Sequence, residues 1–130
     1  MSFKDLKDKV LRWAKDKDLL HSENTDKQFM KFIEEVFEFR DANTLYLNER
    51  NGLDSEFGSY GEIESDGYLQ TLEEDLKLEM GDIFVTLIIL CEQIGIDPEE
   101  CLSMAYEKIK NRRGRTLHGT FVKEEDLIDE

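Results

Sequence analysis

Residues 83–91 read Ile-Phe-Val-Thr-Leu-Ile-Ile-Leu-Cys, the most apolar stretch of the chain, and Glu79-Met80-Gly81-Asp82 runs directly into it. A short apolar run rich in Ile and Val fits a strand or a buried helix by periodicity alone. Length decides for the helix. Apolar residues recur at helical spacing as Leu72, Leu76, Met80, Ile83, Leu87, Leu90 and Ile94, a span longer than an ordinary strand, with Gly81 the only turn-forming residue inside it. Residues three apart on a helix lie on one face, so Glu79 and Asp82 share a stripe that continues through Thr86 and Ile89. That stripe enters a seam too apolar to face water, and the apolar residues from Leu72 to Ile94 form the expected main core stripe beside it. The expected helix is therefore central. Its later turns are apolar on more faces than a small four-helix unit can cover, which predicts a homo-oligomer with a dimer as the minimum.

The 130 residues predict one domain with a real core. Its 31 acidic and 17 basic residues give a net charge of −14. Such a surface repels phosphate backbones and anionic membranes, which disfavours nucleic acid and membranes as partners. The apolar run is shorter than the roughly 20 residues a bilayer span needs, and nothing at the N-terminus resembles a signal peptide, so a cytoplasmic protein is expected. Cys91 and Cys101 lack metal-ligand spacing and read as apolar helical positions, and His21 and His118 are too isolated for a zinc site.

Around the central helix the chain falls into order. Phe3, Leu6, Val10, Trp13 and Ala14 recur at helical spacing, predicting an amphipathic helix from residue 3 to about 20. A second helix, capped by Asn24, Thr25 or Asp26, carries Phe29, Phe32, Ile33 and Val36 on one side and Lys31, Glu34, Glu35 and Glu38 on the other. Like charges at these spacings destabilise a helix by about 0.2–0.5 kcal/mol per pair, a penalty that a bound cation would remove. From residue 43 to 71 the pattern fails and turn residues accumulate, predicting a long connection. Within it Glu62, Glu64, Asp66, Gly67 and Glu73 weakly match a calcium-loop spacing, with Glu where Asp belongs at the first position. Asp97 at the N-cap and Pro98 at N1 start a last helix that is expected to reach about Arg113. Lys108, Lys110, Arg112, Arg113 and Arg115 crowd its end, where they meet the helix dipole and equally form a local anion site. The expected division is a helical domain over 1–118 and an acidic tail over 119–130, ordered through Phe121 and Val122.

Two helices thus each present a carboxylate pair three residues apart, Glu35 with Glu38 and Glu79 with Asp82. Four oxygen ligands without histidine suit Mg²⁺, for which Mn²⁺ can substitute, and not zinc. Di-iron bundles would need Glu-x-x-His pairs, and the sequence has none.

Here the chain resembles the all-α nucleoside triphosphate pyrophosphohydrolases of MazG-like type, related to the dimeric dUTPases. The resemblance rests on Glu35-Val36-Phe37-Glu38, on the run from Leu78 through Glu79-Met80-Gly81-Asp82 to Thr86, and on Lys108-Ile109-Lys110-Asn111-Arg112-Arg113. It covers about residues 13–115, with a longer interval between the two carboxylate pairs than in most members. It implies an oligomeric four-helix bundle with a long loop between its second and third helices. It also implies hydrolysis of a (deoxy)nucleoside triphosphate to monophosphate and pyrophosphate. Glu35, Glu38, Glu79 and Asp82 would hold Mg²⁺, and Glu34 or one of those four would accept the proton of the attacking water. Lys108, Asn111, Arg112 and Arg115 would contact phosphates, while Trp13, Gln28 and Lys31 would contact sugar or base. The partners implied are the nucleotide and further copies of the chain, as a homodimer or homotetramer. The rival reading is a non-catalytic acidic helical interaction protein, such as a DNA mimic, with its acids spread evenly over the surface.

Overall fold

A computed structural model describes residues 1–52 and 62–127. The chain is mostly helical, with helices α1 (Phe3–Asp16), α2 (Thr25–Arg50), α3 (Glu62–Ile94) and α4 (Pro98–Ile109), followed by strands β1 (Gly114–Leu117) and β2 (Thr120–Lys123). It divides into two compact units, Met1–Gly95 and Ile96–Glu130.

In the first unit, Ser2 caps α1 in a capping box with Asp5. The helix stops at Asp16, short of the expected residue 20. Asp18 takes a left-handed conformation (φ 61°), with Asp18 N–H donating to Lys15 C=O and Leu19 N–H to Ala14 C=O. That is a Schellman stop with Asp in the place that glycine usually holds, which is why no stop signal stands out in the sequence. α1 lies against α3, with Phe3 and Phe84 edge to face at 6.0 Å between ring centroids.

α2 and α3 form the main packing of this unit. They run antiparallel: Gln28 Nε2 donates to Thr86 C=O at 3.1 Å, and Glu35, further along α2, meets Glu79, further back along α3. Both helices extend into the expected connection at 43–71. α2 continues to Arg50 on a half-buried stripe of Phe39, Ala42, Asn43 and Tyr46, whose polar Asn43 interrupts the hydrophobic pattern. α3 begins at Glu62, so its helical backbone takes up the segment with the calcium-loop spacing, and a regular helix cannot wrap an ion. The turn signals at Gly58 and Gly61 lie outside the described residues.

The inner face of α3 is rotated from the expected one. Leu72, Thr86, Ile88, Ile89, Cys91 and Gln93 are buried, while Met80 and Ile94 of the predicted core stripe are exposed. The stripe that faces inward is thus the one carrying Glu79. Gln93 Nε2 donates to Leu19 C=O at 2.8 Å, tying α3 to the chain that leaves α1.

In the second unit, Asp97 caps α4 by accepting from Glu99 N–H, with Pro98 in the first turn as the sequence predicts. α4 ends at Ile109, before Arg113, because the chain turns into an antiparallel hairpin that pairs Gly114 with Lys123 and Leu117 with Thr120. Thr120–Lys123, at the start of the expected acidic tail, thus pair with Gly114–Leu117. His118 and Gly119 both have positive φ (51° and 79°), the two-residue turn whose twist matches a β-hairpin. At Gly114 a β-carbon would fall 2.1 Å from Val122 C=O oxygen and 2.6 Å from the Phe121 ring, so only glycine lets the two strands close there. Among the described residues, no helix is long and apolar enough to cross a membrane.

Candidate metal centre and neighbouring hollows

α2 brings Glu35 inward and α3 brings Glu79 and Asp82 to meet it, so that one carboxylate oxygen of each lies within 4.8 Å of the others. The side chain of Glu35 is only 8% exposed. One of its oxygens accepts an ion pair from Lys31 Nζ at 3.2 Å. Its other oxygen, Oε2, is buried without a hydrogen-bond partner, and so is Glu79 Oε2. An unpaired buried carboxylate oxygen is costly, and two of them on residues of one acidic cluster fit a hard cation supplied from outside. Among the described residues no such cluster includes His or Cys, so the donors are all oxygen, the set that suits Mg²⁺ or Mn²⁺.

Glu38 stands beside this group without joining the three convergent ligands. Its carboxyl is pushed above the usual range, chiefly by a hydrogen bond shared with Glu35, then by the charge of Glu35, by desolvation and by the charge of Glu79. Lys31 works in the opposite sense, lowering it. Glu34 is exposed, and its carboxylate meets Lys31 Nζ at 3.5 Å. Lys31 itself is raised in pKa, first by its hydrogen bond to Glu35. It serves as counter-ion to the α2 acids, and Gln28 spends its amide N–H on Thr86; neither lines the hollow that holds Trp13.

That hollow, about 400 Å³, is lined by Leu6, Lys9, Val10, Trp13, Asp82 and Val85. It sets the half-exposed indole of Trp13 on the same small surface as a carboxylate of the acidic cluster.

The second unit has a hollow of its own, about 490 Å³, lined by Lys108, Asn111, Arg112, Arg113, Lys123, Glu124 and Glu125. Glu124 N–H donates to Arg113 C=O at 2.8 Å, closing the segment after β2 against the start of β1. Lys110 is diverted to an ion pair with Glu107, and Arg115 sits on β1 opposite Val122 and does not line the hollow. Lys108, Asn111 and Arg112 thus share one cavity with Arg113 and Lys123. Lys123 was missed from sequence because its place depends on the hairpin, although Leu-His-Gly-Thr between alternating residues is a hairpin signal. Lys9 was missed because a lone lysine on an amphipathic helix ordinarily belongs to the solvated face.

Comparison of the chain with protein-family models, with curated proteins and with solved structures returned no match.

Proposed function

We propose that this chain is a metal-dependent nucleoside triphosphate pyrophosphohydrolase of MazG-like kind, cleaving a (deoxy)nucleoside triphosphate to the monophosphate and pyrophosphate. The observation that carries the reading is the pair of buried, unpartnered carboxylate oxygens of Glu35 and Glu79, contributed by facing helices and joined by Asp82. The rival reading, a non-catalytic acidic interaction protein, has no need for acids to converge and be buried.

Glu35, Glu79 and Asp82 would hold Mg²⁺, with Glu38 at the edge. The ion, when bound, offsets the triphosphate charge and lowers the pKa of water at the site. Cleavage forms a bond from the water oxygen to the α-phosphorus and breaks the bond from that phosphorus to the oxygen bridging to the β-phosphate. Pyrophosphate leaves with that bridging oxygen, and the water's proton passes to a carboxylate. Glu38 is the stronger candidate for that acceptor. It stands beside the cluster without being one of the three convergent ligands, whereas Glu34 is turned to solvent and Lys31. Lys31 holds Glu35 in place through its ion pair. Lys108, Asn111 and Arg112, with Arg113 and Lys123, offer N–H donors suited to phosphate oxygens. Trp13 offers an aromatic face to the base.

The four-helix, homodimeric or homotetrameric assembly belongs to the same proposal. It is supported by how little apolar surface one chain covers. Its buried apolar residues among those described are Ala14, Leu72, Ile88, Ile89 and Cys91, while Leu102 and Met104 on α4 are 72% and 67% exposed. A monomer by light scattering at micromolar concentration would overturn the assembly.

The activity is tested by incubating a panel of nucleotides with Mg²⁺ and identifying pyrophosphate, phosphate and monophosphate separately. Pyrophosphate and monophosphate in equal amounts, abolished by EDTA, are the expected products. Phosphate released from the γ position, or full activity in EDTA, would overturn the reading.

A further inference from the structure

The inner face of α3 carries polar residues at an even interval. Glu79, Thr86 and Gln93 follow one another every seven residues, two turns of helix or about 10 Å, with Thr86 and Gln93 buried and Glu79 half-buried. Each meets its own partner. Glu79 converges with Glu35, Gln28 Nε2 donates to Thr86 C=O at 3.1 Å, and Gln93 Nε2 donates to Leu19 C=O at 2.8 Å. On α2, Gln28 and Glu35 are likewise seven residues apart. In an antiparallel pair these two contacts are therefore rungs of one ladder, separated by the same height on both helices. The Thr86 hydroxyl is turned back to Ile83 C=O at 2.9 Å, so Gln28 grips the backbone of α3 and not a side chain that could follow it.

Apolar burial is non-directional, so it draws α2 and α3 together but sets their relative height only loosely. A slip of one residue would carry Glu35 about 1.5 Å along α3. Mg²⁺ tolerates little of this, since it holds its ligands at about 2.0–2.1 Å in near-octahedral geometry. Lys31 cannot supply the missing constraint, because it pairs with Glu35 from the same helix and moves with it. A buried polar contact in a helix seam specifies register at a cost in stability, and Gln93 bears that cost openly, with its Oε1 buried and without a hydrogen-bond partner.

We propose that Gln28 is a positioning residue for the acidic cluster: its hydrogen bond to Thr86 C=O sets the register of α2 on α3 and so holds Glu35 level with Glu79 and Asp82 two turns away. The assignment rests on the reading of that cluster as a metal centre. It gives Gln28 to the protein's own backbone, where the resemblance implies a contact with sugar or base.

Metal binding by the full-length protein without nucleotide tests it. Mn²⁺ is titrated and the free ion followed by EPR well below Tm, so that a loss of stability alone does not enter Kd, and Asp82→Asn marks the affinity left to acids elsewhere on the chain. Gln28→Met keeps the length of the side chain and removes the donor, and Gln28→Leu is a second donor-free variant. Both should bind Mn²⁺ about 10- to 100-fold more weakly than the native protein, the range for loss of a group that orients a metal ligand. Gln28→His, whose Nε2 stands as many bonds from the backbone as that of Gln, should keep most of the native affinity at pH ~8, where imidazole is neutral. Circular dichroism in EDTA should show all three variants folded. Donor-free variants that bind Mn²⁺ as the native protein does, or a folded Gln28→His that loses as much as Gln28→Met, would overturn the proposal. A nucleotide contact at Gln28 would give the first of these outcomes, with KM for the triphosphate raised instead. Native protein that binds Mn²⁺ no better than Asp82→Asn would sink the metal reading and this assignment together. Weakened Mn²⁺ binding in Gln28→Met, with no pyrophosphate released by the native protein, would keep the assignment and sink the hydrolytic reading alone.

Discussion

The acidic seam of the 1–95 unit and the basic hollow of the 96–130 unit hold charge on opposite terms. In the seam, Glu35 is buried, Glu79 half-buried, and an oxygen of each is left without a partner. In the hollow, Lys108, Arg113 and Glu125 are exposed, Arg112 and Lys123 half-buried, and carboxylates of Glu124 and Glu125 share the rim with the cations. A solvated guanidinium is content in water; a carboxylate taken out of water without a counter-charge is not. Lys31 pairs with only one oxygen of Glu35, so the seam keeps buried, unpartnered oxygens that fit a cation, whereas the hollow only makes phosphate binding chemically possible. Burial, more than the count of charges, separates a site from a charged surface.

Asp82→Asn should break the seam with the largest effect. A ligand held only by the folded state stabilises by about 2.7 kcal/mol at ~100 times its dissociation constant, and a neutral amide is a poor ligand for a hard cation. The variant should lose most of the Mg²⁺-induced rise in Tm and at least ~100-fold in pyrophosphate release. It should be no less stable than the native protein in EDTA, because one of three clustered carboxylates is neutralised. The measurement compares Tm in EDTA, Mg²⁺ and Na⁺ at matched ionic strength. Equal Mg²⁺ and Na⁺ shifts in both proteins would reduce the seam to screened surface charge.

The hollow is better tested through its scaffold. Gly114→Ala drives a β-carbon into the Val122 carbonyl oxygen and the Phe121 ring, and overpacking of this kind costs about 1–3 kcal/mol. Hydrogen exchange at the hairpin amides should quicken, and calorimetry should show weaker binding of inorganic pyrophosphate as Lys123 is displaced from Lys108 and Arg112. The Mg²⁺ shift should stay native. If that shift falls as well, the two regions do not act separately.

Lys31→Met sharpens the seam with a smaller effect. Lys31 is the cation the structure already gives Glu35, so removing it should lower Tm in EDTA by a few degrees and tighten Mg²⁺ binding, since the ion no longer competes with an ammonium. Weaker Mg²⁺ binding in the variant would mean that Lys31 positions Glu35 more than it competes for it.

The seam was legible in the sequence and the hollow only in part, because Lys108, Asn111, Arg112 and Arg113 stand together at the end of α4 while Lys123, Glu124 and Glu125 arrive through the hairpin. Glu35, Glu79 and Asp82 lie on long helices, where spacing alone places side chains on faces, and local periodicity therefore carried the site. Even there it chose the neighbouring stripe of α3 as the core, because Met80 and Ile94 look more buried by type than Thr86 and Gln93, whereas hydrogen bonds from Gln28 and to Leu19 decide the matter in the fold. Lys123 reaches Arg112 only through a hairpin, a contact between residues that no helical period links. The end of α1 was missed at Asp18 because a left-handed Asp leaves the same trace in sequence as any helical Asp.

Asp18 also supplies the smallest test, a charged pair outside both regions. Its carboxylate meets His21, and the imidazole pKa is raised above its ordinary value, first by that hydrogen bond, then by the charges of Asp18 and Glu23. A raised folded-state pKa means that the folded chain binds the proton more tightly than the unfolded one. The stabilisation is then fully present below the unfolded value, about 6.5, and is lost as pH rises through the folded value. Both partners are exposed, so water screens the pair and its contribution is small. Asp18→Asn is a clean variant, because Asn also tolerates the left-handed backbone that ends α1. The His21 titration followed by NMR should move down toward the ordinary value. The Tm difference between variant and native protein, at about pH 5 and about pH 8, should be largest at the lower pH, where His21 is charged. It should stay well below the Mg²⁺-dependent change lost in Asp82→Asn. A change of equal size would show that exposed pairs in this chain weigh as much as buried ones, and the contrast between seam and hollow would lose its physical basis.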